Sequence, residues 1–537
     1  MVANSAAFDA KQIAEKSRPQ INPILVIVIL TIATFMEVLD TSIANVALPH
    51  IAGNLSAGQE EATWVLTSYL VANAIILPIS GWLATYFGRK RFYMACVFLF
   101  VVSSFMCGAS TSLGMLIFFR ILQGLGGGGL APSEQSIIAD SVPPEKRGIA
   151  FAIYGLGVVF APAIGPTIGG WITDNYSWHW IFFINVPIGL ASLLLTWYFV
   201  REPKGTEIER EKLAKDGFKI DWQGILLFAV GIGALEIVLD EGNRKDWFES
   251  RFIITFAVVA VVALAVGITW EFYQKHPAVD VQLLRNRNFA SSFILLFAVG
   301  FILFGSTFLL PLMTQTLLGY NAVTAGKVIS PGGFVVMLMM PIVGGILIPR
   351  VQVRWLILFG LLISAAALWH LTSLNLQVDY ATLAWARCFQ ALGLAFLFVP
   401  INTASYTGIP PGKSNNVSAL MNLGRNMGGS FGIAILSTII ARRSQFHTNT
   451  LGYYTSNYNP NFVDWMNQRT QTLQQQGLSA IDAANQARGI IWAQVLRQAG
   501  MMAFLDAFWV LMILVLCAIP LVFLLKPNNP GKGGGGH

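Results

Sequence analysis

The sequence contains little charge. Only 11% of its 537 residues are Asp, Glu, Lys or Arg, whereas 55% are hydrophobic. A soluble globular domain carries roughly a quarter charged residues, so the composition excludes an ordinary soluble enzyme or binding domain. Long apolar runs occur along nearly the whole chain, and they predict an integral membrane protein.

Cysteine is scarce, and the usual signatures of catalysis are missing. The glycine run from Gly126 to Gly129 lacks the Gly-Lys-Ser/Thr ending of a phosphate-binding loop and lies in an apolar segment. No nucleotide-binding cassette, nucleophile–base set or metal-ligand cluster is visible, so we expect no cofactor, no metal and no enzymatic activity. We interpret the four cysteines as small buried hydrophobic residues without disulfides: Cys96, Cys107, Cys388 and Cys517.

The basic residues are unevenly distributed between the apolar segments. The net charge of +7 does not require a nucleic acid partner, because the basic residues cluster in short loops. If the N-terminus is cytoplasmic, the inner segments hold 22 of the 34 basic residues, whereas the short outer loops hold four. Inner loops of membrane proteins carry an excess of Lys and Arg. The asymmetry therefore predicts that both termini are cytoplasmic.

The chain consists of two related halves. The pattern Arg-x-x-Gln-x-Leu-Gly begins at Arg120 and again at Arg387, and Pro-Pro-x-Lys follows at the same offset, ending at Lys146 and Lys413. Each half therefore places a cation within an apolar stretch, where a charge is costly. Parallel repeats that face each other across a central site are a common transporter architecture, so the repeat predicts a two-lobed transporter.

Fourteen segments are long and apolar enough to span a bilayer, which takes about 20 residues as a helix. The predicted fold class is all-α integral membrane, with two six-helix lobes related by the parallel repeat plus two inserted transmembrane helices. The fourteen spans are predicted near 24–49, 62–85, 92–110, 113–138, 149–172, 181–200, 222–239, 252–272, 289–313, 324–348, 354–374, 380–405, 418–440 and 502–525.

The spans divide the chain into consecutive regions. In 441–501, turn-forming residues precede apolar residues at near-helical spacing, which favours a helical hairpin-like projection with a second arm that runs into the last span. A loose solvated loop is the alternative. The predicted regions are a cytoplasmic N-terminal segment (1–21), an N-terminal lobe (22–200), a cytoplasmic linker (201–221), two inserted helices (222–272), a C-terminal lobe (289–525) that includes the extracytoplasmic projection (441–501), and a flexible tail (526–537).

Two acidic residues lie in the first span. Glu37 and Asp40 are three residues apart, so they share one helical face near the middle of the bilayer. A carboxylate at this depth must pair with a cation, face water or take up a proton. Arg120 on the fourth span lies at a comparable depth and is a candidate partner. Proton coupling through these three residues and a static ion pair between two helices both remain open.

Other motifs indicate helix packing or polar positions inside the membrane. In the fifth span, small residues and prolines predict either tight packing alone or a bendable seam between the lobes: Gly157, Pro162, Gly165, Pro166, Gly169 and Gly170. The inner-loop motif after the second span contains Gly81, Gly88, Arg89 and Lys90. The candidate cavity-lining residues, for which helix–helix hydrogen bonding is the alternative, are Thr41, Asn45, Gln123, Arg387, Gln390, Asn402, Asn422 and Arg425.

These motifs resemble the major facilitator superfamily, and within it the fourteen-span drug:proton antiporter group of EmrB-type multidrug exporters. The resemblance covers essentially the whole chain. It rests on the run from Leu39 to Pro49, Arg120-Ile-Leu-Gln-Gly, Gly-Pro-x-x-Gly-Gly at 165–170, and the run from Trp178 to Pro187. In one departure, Thr85 stands where the inner-loop motif of the family usually has an acidic residue, which puts in doubt a gate latch that relies on that charge.

The resemblance implies proton-coupled export of toxic hydrophobic compounds from a bacterial inner membrane. Asp40 would be the proton-linked acid, Arg120 its coupling partner, and the fifth span the antiporter seam. A periplasmic membrane-fusion adaptor and an outer-membrane channel are the implied partners in a tripartite pump. The competing hypotheses are an exporter of an endogenous lipid, fatty acid or siderophore, and a membrane receptor or scaffold that does not transport.

Overall fold

The structure, a computed structural model, describes residues 23–202, 221–274, 277–410 and 413–527. The predicted N-terminal segment, most of the predicted linker and most of the tail lie outside these ranges. Within the described ranges the regular secondary structure is helical throughout. The predicted all-α membrane fold class is confirmed.

The N-terminal lobe contains six spans, of which the fourth and the sixth are each divided into two helices. The predicted span 113–138 divides at Gly128 and Gly129. A Cβ on Gly128 would lie 2.5 Å from the Asn73 carbonyl oxygen, so only glycine permits this close approach to α2. The helices are α1 Pro23–Asn54, α2 Gln59–Phe87, α3 Arg89–Gly108, α4 Leu113–Gly127, α5 Leu130–Ser141, α6 Arg147–Asn175, α7 Trp180–Phe183 and α8 Asn185–Phe199.

Two further helices separate this lobe from the second one. Side-chain caps mark several helix starts: the Asp221 carboxylate accepts the Gly224 N–H at 2.9 Å, and the Asn321 side chain accepts the Thr324 N–H at 2.8 Å. The inserted pair is α9 Trp222–Glu241 and α10 Arg251–Tyr273, and the second lobe contains α11 Arg287–Leu317, α12 Ala322–Ile342, α13 Val353–Thr372, α14 Tyr380–Ser405, α15 Ser414–Tyr453, α16 Pro460–Gln475 and α17 Ala480–Val522.

Thirteen helices in the described part of the chain are long and apolar enough to cross a membrane. The remaining predicted span, 418–440, corresponds to helix α15, whose first half carries several asparagines and Arg425, so it is less apolar than the others. It packs against α11, α17 and α2 in the middle of the molecule. Contacts with both lobes therefore compensate for its polarity, and all fourteen predicted spans correspond to helices.

The projection 441–501 is helical. Helix α15 continues past its span to Tyr453, α16 follows, and α17 begins at Ala480 and runs without interruption through the last span. Leu473 of α16 packs against Ala483 and Ala487 of α17. We call the segment from α15's last turns through the first turns of α17 the hairpin, and the side of the molecule that carries it the hairpin face. The opposite side, at Gly88, is the basic face.

The two lobes touch along α6 and α12, and α15 packs against α2 and α5 of the first lobe. The contact of α6 with the second lobe extends to the basic face. A Cβ on Gly148 would lie 2.3 Å from the Gly344 carbonyl oxygen, and one on Gly344 would lie equally close to Gly148. Helix α12 gives way at this point to a π-helical turn, Val343–Leu347. Only glycine at both positions allows the lobes to come this close, so the conformation is closed at the basic face.

Candidate functional site

Asp40 and Arg120 meet inside the N-terminal lobe. The Arg120 guanidinium donates from Nη1 to Asp40 Oδ2 at 2.7 Å, which joins α1 to α4. Arg120 is fully buried, and Asp40 is 2% exposed. A buried pair of this kind is stable only when hydrogen bonds satisfy both groups.

Neutral groups form most of the remaining hydrogen bonds of the ion pair, and of the polar atoms of the two side chains only Nη2 of Arg120 has no partner in the described part of the chain. Gln123 and Asn185 donate to Asp40 Oδ1 at 3.1 and 2.6 Å, so the carboxylate accepts three hydrogen bonds. The Arg120 Nε–H donates to the Val65 carbonyl at 2.9 Å, and its guanidinium lies 4.1 Å from the centre of the Tyr69 ring. Arg120 is therefore fixed from two sides by α2. In this closed conformation the pair is buried from solvent. A static ion pair between two helices and proton coupling are both compatible with this arrangement.

Glu37 occupies a different environment one turn away. Its Oε1 accepts hydrogen bonds from the Tyr69 hydroxyl at 3.0 Å and from the Asn73 amide at 3.2 Å. Within the described ranges, no Lys or Arg nitrogen lies within 4.0 Å of this carboxylate. A buried carboxylate without a cation keeps an uncompensated charge, which proton uptake removes.

A polar layer connects Glu37 to the second lobe. Asn426 of α15 donates to Asn73 at 3.4 Å, and Arg425 donates to the Tyr154 hydroxyl at 2.9 Å. Further hydrogen bonds across the lobe contact run from Tyr154 to Asn422, from Asn422 to Gln135 and from Gln135 to Asn402, at distances of 2.9 to 3.3 Å. A carboxyl group at the edge of this layer changes its surroundings when the lobes separate.

The predicted cavity-lining residues separate into two groups. Asn45 is exposed and Thr41 is half-buried on α1. The others are buried in this conformation, and all but Gln390, which bonds to Arg387 of its own helix, form hydrogen bonds between helices: Gln123, Arg387, Gln390, Asn402, Asn422 and Arg425. Lining of a cavity by this second group stays a prediction for another conformation.

The small residues of α6 pack mainly within their own lobe. A Cβ on Gly165 would lie 2.3 Å from the Ser42 hydroxyl, and Gly157 and Gly169 likewise approach α1. Pro166 has no N–H, so the Pro162 carbonyl is free to accept from Ser42 Oγ, at 3.4 Å. Gly170 lies toward Val323 of the second lobe. The motif therefore tightens the contact of α6 with α1, while the lobes touch through Gly148.

The inner-loop motif forms part of the closure at the basic face. Arg89 forms an ion pair with Asp140, which in turn accepts a hydrogen bond from Ser414 of the second lobe at 2.7 Å. Thr85 accepts a hydrogen bond from Asn415 at 2.8 Å. The contact between the lobes at this position thus uses the hydroxyl of Thr85, where the motif of the family usually has an acid.

The remaining motif residues have local roles. Gly88 adopts a φ of 93°, a left-handed conformation that favours glycine, and a Cβ on Gly81 would lie 2.7 Å from the Asn416 side chain. The Lys90 amine donates to the Trp197 carbonyl at 2.8 Å. One expectation was wrong, because Cys517 is exposed and Cys388 is only half-buried.

Sequence reasoning missed several buried carboxyl groups inside predicted spans, among them Glu134, Glu236 and Glu271. Glu134 of α5 is fully buried and accepts hydrogen bonds from the hydroxyls of Thr31 and Thr34. Glu236 on the inserted α9 accepts from Ser430 at 2.6 Å. Each is an acid inside a predicted span, so the reasoning that selected Arg120 would also have selected them. Asn185 lies in the quoted run from Trp178 to Pro187, but nothing in the sequence pairs it with Asp40.

Comparisons with known proteins agree with this arrangement. The family model described as "Major Facilitator Superfamily" matches residues 30–433. The chain is 37% identical to "Multidrug export protein EmrB" of Escherichia coli (strain K12), over 96% of this chain and 97% of that protein. It is 36% identical to "Fatty acid resistance protein FarB" of Neisseria gonorrhoeae, over 95% and 96% of the two chains.

Solved structures show the same fold at much lower identity. The proton:xylose symporter XylE aligns with a TM-score of 0.59 and 13% identity, over 95% of this chain and 97% of that chain. The human organic anion transporter MFSD10 aligns with a TM-score of 0.56 and 14% identity, over 92% and 100% of the two chains. With the family model, the full-length relatives and the two-lobed helical fold in agreement, this chain belongs to the major facilitator superfamily and is a multi-pass membrane transporter.

Proposed function

We propose that this protein is a proton-coupled antiporter that exports hydrophobic compounds across the bacterial inner membrane, with both termini in the cytoplasm. The observation that carries the proposal is the Asp40–Arg120 ion pair inside the membrane bundle, with Glu37 one turn away at the edge of the contact between the lobes. A charge in this position is costly to retain without a function. Protons are the coupling ion, and no cofactor takes part.

The mechanism follows from what holds each partner. Arg120 is anchored to α2 by the Val65 carbonyl and the Tyr69 ring, whereas Asp40 moves with α1. When the lobes swing and α1 shifts, Asp40 loses the guanidinium, and a proton replaces it as the compensating charge. Glu37 passes between the closed polar layer and water in the same motion. Coupling arises because the two conformations bind protons with different affinities, since equal affinity would shift nothing.

The proposed substrates are toxic hydrophobic compounds, including drugs. Relatives named for multidrug export align over nearly the whole chain, which supports this class. The relative named for fatty acid resistance supports the second candidate, export of a fatty acid or similar lipid. Both candidates use the same alternating-access cycle, and a panel of dyes and long-chain carboxylates tested for efflux separates them.

The hairpin supports a partnership with a periplasmic membrane-fusion adaptor and an outer-membrane channel. It carries large apolar side chains that are mostly exposed: Tyr453 is 80% exposed, Tyr458 is 97% and Ile481 is 74%. Exposed apolar side chains grouped on a projection are typical of an interaction surface. We propose that the adaptor binds the hairpin and continues the export path away from the membrane.

The test is ethidium transport into inverted membrane vesicles energised by a proton gradient. Asp40→Asn should abolish gradient-driven transport while the protein still inserts and folds. The matched control is Asp506→Asn, since Asp506 accepts from Arg443 and His447 in a partly exposed ion-pair cluster near the hairpin. Full transport by Asp40→Asn would remove Asp40 from the mechanism. Loss of transport in both variants would show that the effect is not specific to Asp40.

A further inference from the structure

The internal repeat extends to the partner of the buried arginine. In the first lobe, Arg120 donates to Asp40, which lies 80 positions before it. In the second lobe, Arg387 donates from Nη2 to the Thr307 hydroxyl at 3.1 Å, and Thr307 also lies 80 positions before its arginine. Each arginine also donates at 2.8 Å to the glutamine three positions later. Thr307 therefore occupies in α11 the place that Asp40 occupies in α1.

The consequence is a buried cation without an anion. Arg387 is 3% exposed, and within the described ranges no carboxylate oxygen lies within 4.0 Å of its guanidinium. Its hydrogen-bond partners are the hydroxyls of Ser306 and Thr307 and the side-chain oxygen of Gln390, all neutral. The Arg387 Nε has no partner at all. Burying a guanidinium in this way costs several kcal/mol, which an anion would offset.

The surroundings indicate where the anion comes from. Helix α11 contacts α12, α14, α15 and α17 of its own lobe. Because the lobes form a parallel repeat, we infer that its remaining side faces the first lobe, which it touches at α6. Thr307 is half-buried on this helix, and so are Phe304, one turn before it, and Phe308, the next residue along the chain. The site therefore combines a buried cation, hydroxyls and a partly accessible aromatic surface.

We propose that Arg387, together with Ser306 and Thr307, binds the carboxylate of an anionic amphiphile whose apolar tail lies against Phe304 and Phe308. This inference rests on the proposed transport function for its physiological role, and it assigns that transporter an anionic substrate class. A guanidinium forms two parallel hydrogen bonds with a planar carboxylate, and here it has an unused N–H to offer. The Thr307 hydroxyl, which now accepts from Arg387, is free to turn and donate to the anion, whereas the Ser306 hydroxyl already donates to the Leu303 carbonyl and would have to leave it.

The experiment measures equilibrium binding of dodecanoate to the full-length protein in nanodiscs of zwitterionic lipid at alkaline pH, with dodecanol as the uncharged control. Wild-type protein should bind dodecanoate at least about tenfold more tightly than dodecanol, a factor typical of one charge-assisted contact. Arg387→Gln should abolish the preference for the anion. Arg425→Gln should keep it, because Arg425 is already bonded to Tyr154 and Asn426.

A second variant keeps the test valid if Arg387→Gln does not fold. Thr307→Asp places an acid beside Arg387, as Asp40 lies beside Arg120 in the first lobe. The first lobe accommodates such a buried pair. The added carboxylate should neutralise Arg387 and abolish anion binding in a protein that is at least as stable as wild type, whereas Thr307→Ser should bind dodecanoate normally. Unchanged anion preference in folded Thr307→Asp and in folded Arg387→Gln would overturn the proposal.

Other results separate the sources of the anion. One such result is that the protein binds dodecanoate no more tightly than dodecanol and instead binds phosphatidylglycerol, added to the nanodisc, through Arg387. In that case the site binds a lipid headgroup and the substrate proposal is wrong. Loss of the preference in Arg425→Gln alone would place the site at Arg425 and would also overturn it. Because binding is measured without a gradient, anion binding with no transport would contradict the proposed function and leave this inference intact.

Discussion

The Asp40 carboxylate lies 2.7 Å from the Arg120 guanidinium, although the two residues belong to different helices and stand 80 positions apart. Both are almost completely buried. The pair therefore contributes to the packing of α1 against α4 as well as to the proposed coupling. Experiments on it must distinguish the loss of stability from the loss of proton exchange.

The first prediction concerns stability. Arg120→Gln leaves Asp40 as an unpaired buried charge, and Asp40→Asn leaves Arg120 in the same state, so each should destabilise the protein by about 3 kcal/mol. The double variant should cost less than the sum of the two, because the residues interact directly. Thermal unfolding of the purified protein in detergent measures these differences.

The control for this cycle is another ion pair in the same chain. Arg443 is 42% exposed in its pair with Asp506, and an exposed pair contributes about 1 kcal/mol or less. Arg443→Gln should therefore shift the unfolding temperature only slightly. Strict additivity of the Asp40 and Arg120 variants would show that the two residues are not coupled in the folded protein.

The second prediction concerns pH. Glu37→Gln retains a side-chain oxygen that accepts from Tyr69, so the variant should fold, but it does not titrate. Ethidium efflux by this variant should depend less on pH than efflux by wild type, because the variant lacks a carboxyl group that can gain and lose a proton. Efflux rates in proteoliposomes at a series of pH values measure the effect. Identical pH profiles would exclude Glu37 from proton transfer.

The third prediction concerns closure at the basic face. Gly148→Val places a side chain where the Gly344 carbonyl lies 2.3 Å from the Cβ position, so the lobes should no longer close there. Spin labels on Lys146→Cys and Arg350→Cys, in a background without the native cysteines, should report a longer distance than in wild type. Gly170→Ala is the matched control, since its nearest neighbour lies at an ordinary 3.6 Å. An unchanged distance in Gly148→Val would contradict the proposed closing contact.

The fourth prediction concerns the hairpin. Tyr458→Ser together with Ile481→Ser should abolish chemical crosslinking to the membrane-fusion adaptor of the same organism, because both side chains are largely exposed on the projection. Ethidium binding to the purified transporter should not change. Crosslinking at the wild-type level would exclude this surface of the hairpin as the adaptor site.

The sequence was sufficient to predict the fold because the apolar runs and the repeat are local patterns. It also brought Asp40 and Arg120 together by their similar depth in the bilayer. The polar layer between the lobes was beyond this reasoning, since the contact of Arg425 with Tyr154 depends on how two lobes pack. Asn185 was missed because a neutral polar side chain in a span carries no charge that would require a partner, so the sequence does not pair it with Asp40.

Two other failures have a different physical origin. Glu134 could have been predicted, because a charged residue inside the membrane is energetically costly. Applying this rule to acids as well as to bases would have identified it. The exposure of Cys517 was not predictable from hydropathy, because lipid-facing and core-facing positions of a membrane helix are both apolar. Orientation in the membrane rests on the distribution of basic residues and stays a prediction.

The most direct test of proton–substrate exchange is the release of protons from purified protein when ethidium binds, measured with a pH-sensitive dye in weakly buffered detergent solution. The account predicts that wild-type protein releases protons in proportion to bound ethidium, and that folded Asp40→Asn combined with Glu37→Gln releases none. Ethidium binding to wild-type protein without any proton release, or release that is unchanged in the double variant, would contradict exchange at these carboxyl groups.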